Sequence, residues 1–407
     1  IIDVRFNNNQ GSRYFARNVY GLLIVITSTK TGIDMTHNIK DYGAGTLPDQ
    51  IRSRVCRGIN GLDIHYLEAG FENKNNPLLL LLHGFPELSY SWRKMILPLS
   101  KSGYHVVAPD QRGFGATTGW NNSYVLDLSS YYQNNLVRDM LGLVSALGYE
   151  KVKSVIGHDS GAGVAGWSAL IRPDIYESVV MMSAPFTGAP NIPLNTLKNL
   201  TTTKDPIADI AAELANLERP RKHYQDYYRT PEANSDIMDS EKGLPNFIRA
   251  YYHHKSADWK ENKPFPLCSW TAEQLAKMPT YYIMDLDDTM PEAVGKHMPT
   301  SEEINSCEWL TEEELKVYVS EYERTGFQGG LNWYRSGGSS GNRGNLELFS
   351  GMKISKPAMF IAGRQDWGIF QRPGAIAKMR NEVCTNMGEI QLVDNAGHWV
   401  QQEQPES

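Results

Sequence analysis

Leu78–Leu82 is an unbroken run of leucines with no polar residue to give it an outward face. A strand of that kind is buried on both sides, which calls for a mostly parallel sheet covered by helices. From about Val55 the chain alternates short apolar runs with longer amphipathic stretches, the rhythm of an α/β fold. Strands are expected at Ile64–Glu68, Leu78–Leu82, His105–Ala108, Lys153–Ile156, Ser178–Met182, Ala358–Ile361 and Ile390–Val393. Between them, Asn134–Leu147 places Leu136, Met140, Leu143, Val144 and Leu147 at helical spacing.

The rhythm breaks between about Pro185 and Asn345. Asp205–Leu217 and Thr311–Glu323 read as helices, the second opened by a capping box of Thr311 and Glu314. No buried strand is expected there, and Gly337–Gly344 reads as a flexible loop. The expected organisation is a core of residues 53–184 and 346–407 with a helical lid, 185–345, inserted between the sixth and seventh strands. Such a lid covers the carboxyl ends of the strands, where open α/β sheets bind ligands.

Residues 1–52 form an N-terminal extension. Its apolar stretch Val19–Ile26 is shorter than the roughly 20 residues of a membrane span. No clean small-residue cleavage site follows it, and the first methionine is Met35. Residues 1–34 are therefore read as a non-native leader in preference to a signal peptide. The chain stops at Ser407, directly after its last motif, and one more covering helix would be expected.

Composition narrows the function classes. A formal net charge of -6 gives no basic field for nucleic acid. Cys56, Cys268, Cys307 and Cys384 form no CxxC pair and no disulfide framework, which fits a reducing, cytoplasmic setting. The ten histidines show no metal-binding spacing, so neither metal nor cofactor is expected.

The strand ending at Ile156 runs into Gly157-His158-Asp159-Ser160-Gly161, a nucleophile elbow. The residues two before and two after the nucleophile must be small, because backbones approach there. With Asp159 central they are Gly157 and Gly161. With Ser160 central they would be His158 and Ala162, and the histidine would clash. Register selects the aspartate. An elbow needs an acid and then a histidine downstream. Asp366, in Gly363-Arg364-Gln365-Asp366-Trp367, and His398, in Ala396-Gly397-His398-Trp399, follow the last two strands in that order. Asp366 can fix the tautomer of His398, leaving the other ring nitrogen for the cleft. Asp394 and Asp110 read as structural.

Upstream, Leu82 leads into His83-Gly84-Phe85-Pro86-Glu87. The N–H of Phe85 and that of Ser160 are the expected oxyanion donors. A carboxylate nucleophile attacks a carbon bearing a leaving group and forms an ester, which water activated by His398 then hydrolyses. Opening an epoxide needs an acid for the ring oxygen, a task suited to tyrosine; halide release needs N–H donors.

HGFPE at 83–87, PDQRGFG at 109–115, GHDSG at 157–161 and AGHW at 396–399 together resemble the soluble epoxide hydrolases of the α/β-hydrolase fold, over roughly residues 54–407. TGFQGGLNWYR at 325–335 resembles the family segment that carries one of two ring-opening tyrosines, which falls on Tyr334. The other match is Tyr224, with Tyr227, Tyr228 and Tyr251 as alternatives. Ser160 departs from the tryptophan that often follows the nucleophile in this family and in haloalkane dehalogenases, where it helps to bind halide. The resemblance implies hydrolysis of a small apolar epoxide to a vicinal diol, with water as co-substrate. The alternatives are a haloalkane or haloacid dehalogenase using the same triad, and a slow hydrolase acting as a small-molecule receptor. Oligomeric state is not legible.

Overall fold

A computed structural model describes residues 42–43, 45–192 and 206–407, together with two short paired strands, Tyr14–Arg17 and Leu23–Ile26. Most of the expected leader, residues 1–34, lies outside the described residues, as does Asp205 at the start of one expected helix.

One sheet of eight strands organises the molecule. They are β1 (Arg52–Ile59), β2 (Leu62–Ala69), β3 (Leu78–Leu82), β4 (His105–Pro109), β5 (Ser154–His158), β6 (Val179–Met182), β7 (Ala358–Gly363) and β8 (Met387–Val393). Their spatial order is β8-β7-β6-β5-β3-β4-β2-β1. Only β2 runs against its neighbours, β1 and β4; every other pairing is parallel. The leucine run is β3, at the centre of the sheet and buried at every position. β3 and β5 pair in register from Leu79↔Ser154 to Leu82↔Gly157, so both strands deliver their following loops to the same edge.

The edge strand β1 was absent from the expected set. Its sequence, RSRVCRGI, spaces its apolar residues irregularly among arginines, as suits an edge strand with one solvated side. The helices that matter for the site are α1 (Arg93–Lys101), α2 (Gln133–Ala146) and α3 (Ser160–Ile171). In α3 the small residues Gly161, Ala162, Ala165 and Gly166 let the helix lie close on the sheet, and a Cβ on Gly166 would come within 2.6 Å of the Phe186 ring.

Between β6 and β7 the described chain is mainly helical. It includes α4 (Leu244–Lys255), α5 (Glu312–Thr325) and α6 (Gln328–Gly337). The capping box that opens α5 forms as its sequence requires: the Thr311 hydroxyl accepts from Glu314 N at 3.3 Å, and the Glu314 carboxylate accepts from Thr311 N at 3.0 Å.

Two expectations for this segment are corrected. A two-stranded ribbon pairs Arg221–His223 with Ile283–Asp285, each strand too short to show a period in sequence. Ser340–Glu347, covering most of the expected Gly337–Gly344 loop, is a helix. Its glycines lower helix propensity, but Leu346 packs into the core and the Asn342 side chain accepts from Gln133 N at the start of α2.

Candidate active site

The turn from β5 into α3 sets Asp159 at φ 51 and ψ −122, a conformation that costs a non-glycine residue about 1–3 kcal/mol. Close packing around it holds the turn. A Cβ on Gly157 would fall 2.1 Å from the Gly161 carbonyl oxygen, and one on Gly161 would fall 2.4 Å from that of Leu82. A Cβ on Gly84 would sit 2.4 Å from the Cβ of Asp159 itself. The glycines that fixed the register in sequence are thus required by backbone contact on both sides of the aspartate.

The loops after β7 and β8 bring Asp366 and His398 to Asp159. His398 Nδ1 lies 3.1 and 3.2 Å from the two carboxylate oxygens of Asp366. His398 Nε2 lies 3.3 Å from Asp159 Oδ2, within ion-pair distance but outside hydrogen-bond geometry. Asp366 is oriented in turn by the Gly368 N–H, which donates to its Oδ1 at 2.6 Å. Burial raises the Asp159 carboxyl, but His398, Lys255 and His158 overcome that and hold it below the ordinary aspartate range. The balance at Asp366 is the same: burial opposes ionisation, and His398 and the Gly368 N–H outweigh it.

The Phe85 N–H, just past β3, donates to Asp159 Oδ1 at 3.2 Å. Ser160 opens α3, where first-turn N–H groups have no partner within the helix. It lines the cleft, and among the described residues its hydroxyl has no hydrogen-bond partner.

The cleft holding Asp159 and Ser160 is also lined by Ala184, Pro185, Tyr224, Gln225, Tyr334, Gly368, Gln371, Arg372 and Ala375. Tyr224 begins the short helix Tyr224–Tyr228 and Tyr334 lies on α6, so two parts of the insertion converge here. Their rings meet edge to face at 5.9 Å. Tyr224 Oη donates to Gln371 Oε1 at 3.1 Å and accepts from Gln225 Nε2 at 3.1 Å. Among the described residues no hydrogen-bond partner is seen for the Tyr334 hydroxyl. Burial pushes both phenols up, and the nearby Asp159 charge adds to this, so each keeps its proton. Tyr227, by contrast, donates to Asp236 at 3.0 Å, and Tyr227, Tyr228 and Tyr251 do not line the cleft.

The two aspartates read as structural have other surroundings. Asp110 is buried among His65 (2.7 Å), Ser89 N (2.7 Å) and Ala116 N (2.9 Å). Asp394 is exposed and paired with Arg364.

Sequence reasoning missed the groups that support His398 from behind. His158 Nδ1 is 2.5 Å from Glu87 Oε2, and His158 Nε2 donates to the His398 carbonyl at 2.7 Å. Burial opposes charge on both members of this pair, but each holds the other ionised: Glu87 is lowered and His158 raised. Lys255, at the end of α4, is buried with its ammonium 4.9 Å from the Tyr282 ring centroid and 5.2 Å from that of Tyr251. No motif marks that lysine. Glu87 and His158 stand inside motifs, where only their separation of 71 residues hides the contact.

The chain matches a family model described as the alpha/beta hydrolase fold over residues 77–405. It is 32% identical to Epoxide hydrolase A of Mycobacterium tuberculosis, over 85% of this chain and 91% of that protein. The structure of Epoxide Hydrolase A from Mycobacterium thermoresistibile superposes with a TM-score of 0.65 at 31% identity, covering 87% of this chain and 94% of the other. An epoxide hydrolase from an endophytic Streptomyces gives a TM-score of 0.67 at 26% identity, covering 88% and 93%.

Proposed function

This chain belongs to the epoxide hydrolases of the α/β-hydrolase fold, and from that premise we propose how its own residues hydrolyse an epoxide. The reading rests on one juxtaposition: Asp159, Tyr224 and Tyr334 line a single cleft, with His398 and Asp366 beside the aspartate.

Asp159 attacks a ring carbon as an ionised carboxylate. The carbon–oxygen bond of the ring breaks, and Tyr224 and Tyr334 hydrogen-bond the leaving oxygen and supply its proton. The product of this step is an ester of Asp159. A water deprotonated by His398 then adds to the ester carbonyl, with the N–H groups of Phe85 and Ser160 holding the oxyanion. On collapse His398 returns its proton to the departing alkoxide, releasing the vicinal diol. The proton left on the Asp159 carboxyl passes to the tyrosinate, which regenerates both carboxylate and phenol. Asp366 orients His398 and stabilises its cationic form.

The segment 185–345 acts as the lid, since it brings both tyrosines to the cleft. A small, largely apolar epoxide suits the Ala184, Pro185 and Ala375 side of the lining, while Gln371 and Arg372 can meet a polar arm. Among the described residues no helix is long and apolar enough to cross a membrane. The cytoplasm is the proposed location, on the four cysteines, none of which forms a disulfide.

Incubation with styrene oxide and, separately, with a haloalkane tests the reaction class. Diol from the first and no halide from the second is the expected result. Halide release without diol would overturn it.

A further inference from the structure

Gly397, His398 and Trp399 lie between β8 and the short C-terminal helix α7 (Val400–Glu403), outside any sheet or helix ladder. Their backbone groups nevertheless find partners far away in the fold. The His398 N–H donates to the Lys255 carbonyl at 2.9 Å. The His398 carbonyl accepts from His158 Nε2 at 2.7 Å and from Ser183 Oγ at 3.2 Å. The N–H groups on either side of the histidine go to one buried carboxylate: Gly397 N donates to Glu403 Oε2 and Trp399 N to Glu403 Oε1, each at 2.9 Å.

Glu403 Oε2 accepts a third N–H, from Ala257 at 2.8 Å. Ala257 lies just past α4, in the inserted segment. A single carboxylate therefore ties the histidine loop to the chain that leaves α4, and the two approach closely. A Cβ on Gly397 would lie 2.6 Å from both the Lys255 carbonyl oxygen and Ala257 N. Among the described residues Glu403 has no cationic partner, and burial outweighs its three backbone N–H donors, pushing its carboxyl up to about 8. A carboxylate placed this way costs solvation, and what it secures is geometry.

We propose that Glu403 is a positioning residue for His398, holding the histidine loop against the end of α4 so that the ring stays aligned for hydrolysis of the ester on Asp159. The proposal rests on the two-step reading above. Glutamine at 403 has the same volume but one acceptor oxygen in place of two, and its NH2 would face an N–H donor. At least one buried N–H then loses its partner, and the loop shifts. Ester formation does not need His398 as a base, whereas ester hydrolysis does. The loss therefore falls on the second step.

Rapid-quench single turnovers with styrene oxide on the full chain test this, following the ester on the Asp159 peptide by mass. In Glu403→Gln, ester formation should stay within about threefold of the unchanged enzyme, while ester hydrolysis slows by about 10- to 100-fold, so that ester accumulates. Glu403→Asp, which keeps both acceptor oxygens on a shorter arm, should recover part of the second rate. Equal slowing of both steps, or of neither, in a folded variant would overturn the proposal. If Glu403→Gln does not fold, Glu403→Asp decides alone: selective slowing of hydrolysis supports the role, and equal or absent slowing overturns it. No ester at all in the unchanged enzyme would overturn the two-step reading and the proposal with it, an outcome distinct from the others.

Discussion

Tyr224 and Tyr334 meet edge to face, with 5.9 Å between ring centroids and 78° between ring planes, and both line the cleft that holds Asp159. They differ in one respect. Tyr224 is tethered by Gln225 and Gln371, whereas the Tyr334 hydroxyl has no partner among the described residues.

Both phenols should assist ring opening. Tyr334→Phe and Tyr224→Phe are each expected to slow ester formation from an epoxide by about 10²-fold, the usual contribution of a positioned acid. Ester hydrolysis should change little. Stopped-flow single turnovers separate the steps, and a full rate of ester formation in the double variant would exclude the tyrosines as acids.

His398 should matter chiefly after the ester has formed. With His398→Gln the ester should persist, and steady turnover should fall by about 10³-fold or more, as with loss of a general base. Intact-protein mass after mixing with substrate would show the adduct. Asp366→Asn should have a smaller effect in the same direction.

The pH dependence of ester formation follows from two opposite shifts. The Asp159 carboxyl is held below the ordinary aspartate range of about 3.9, so it stays ionised as pH falls toward that value. The Tyr224 and Tyr334 phenols are raised above their ordinary value of about 10, so they stay protonated as pH rises toward it. The rate constant for ester formation should therefore be flat from about pH 5 to 9, measured where circular dichroism shows a folded protein. Between those limits, a loss of rate toward acid would contradict the Asp159 assignment, and a loss toward base would contradict that of the tyrosines.

Gly157→Ala should unfold the elbow or displace it, because the added methyl would lie 2.1 Å from the Gly161 carbonyl oxygen and the neighbouring atoms are backbone. A loss of several kcal/mol, above the ~1 kcal/mol of an ordinary substitution, is expected in urea titrations. Gly148→Ala is a useful control. That glycine has positive φ but open space around the added methyl, so only the milder conformational cost should appear.

How much was legible in the sequence follows from how each feature is encoded. The leucine run of β3 and the small residues flanking Asp159 are local patterns, each with a steric reason, and they located the elbow and its register. Asp366 and His398 were found by their order after strands. The arginine-rich edge strand Arg52–Ile59 escaped because one solvated side leaves too few apolar residues to count. Ser340–Glu347 was misjudged because its glycines signal a loop, while packing by Leu346 and the Asn342 bond to Gln133 make it a helix. Glu403 and Ala257 were not legible at all: their bond joins positions 146 residues apart, and no spacing rule predicts a carboxylate that answers three backbone donors.

The central claim is that Asp159 itself becomes part of the intermediate. A single turnover in ¹⁸O-water with enzyme in excess tests it most directly. Water that attacks the ester carbonyl leaves its oxygen on Asp159, so the peptide carrying Asp159 should gain label and the first-turnover diol should contain none. Labelled diol with an unlabelled Asp159 would mean that water opens the ring directly, and would contradict the account.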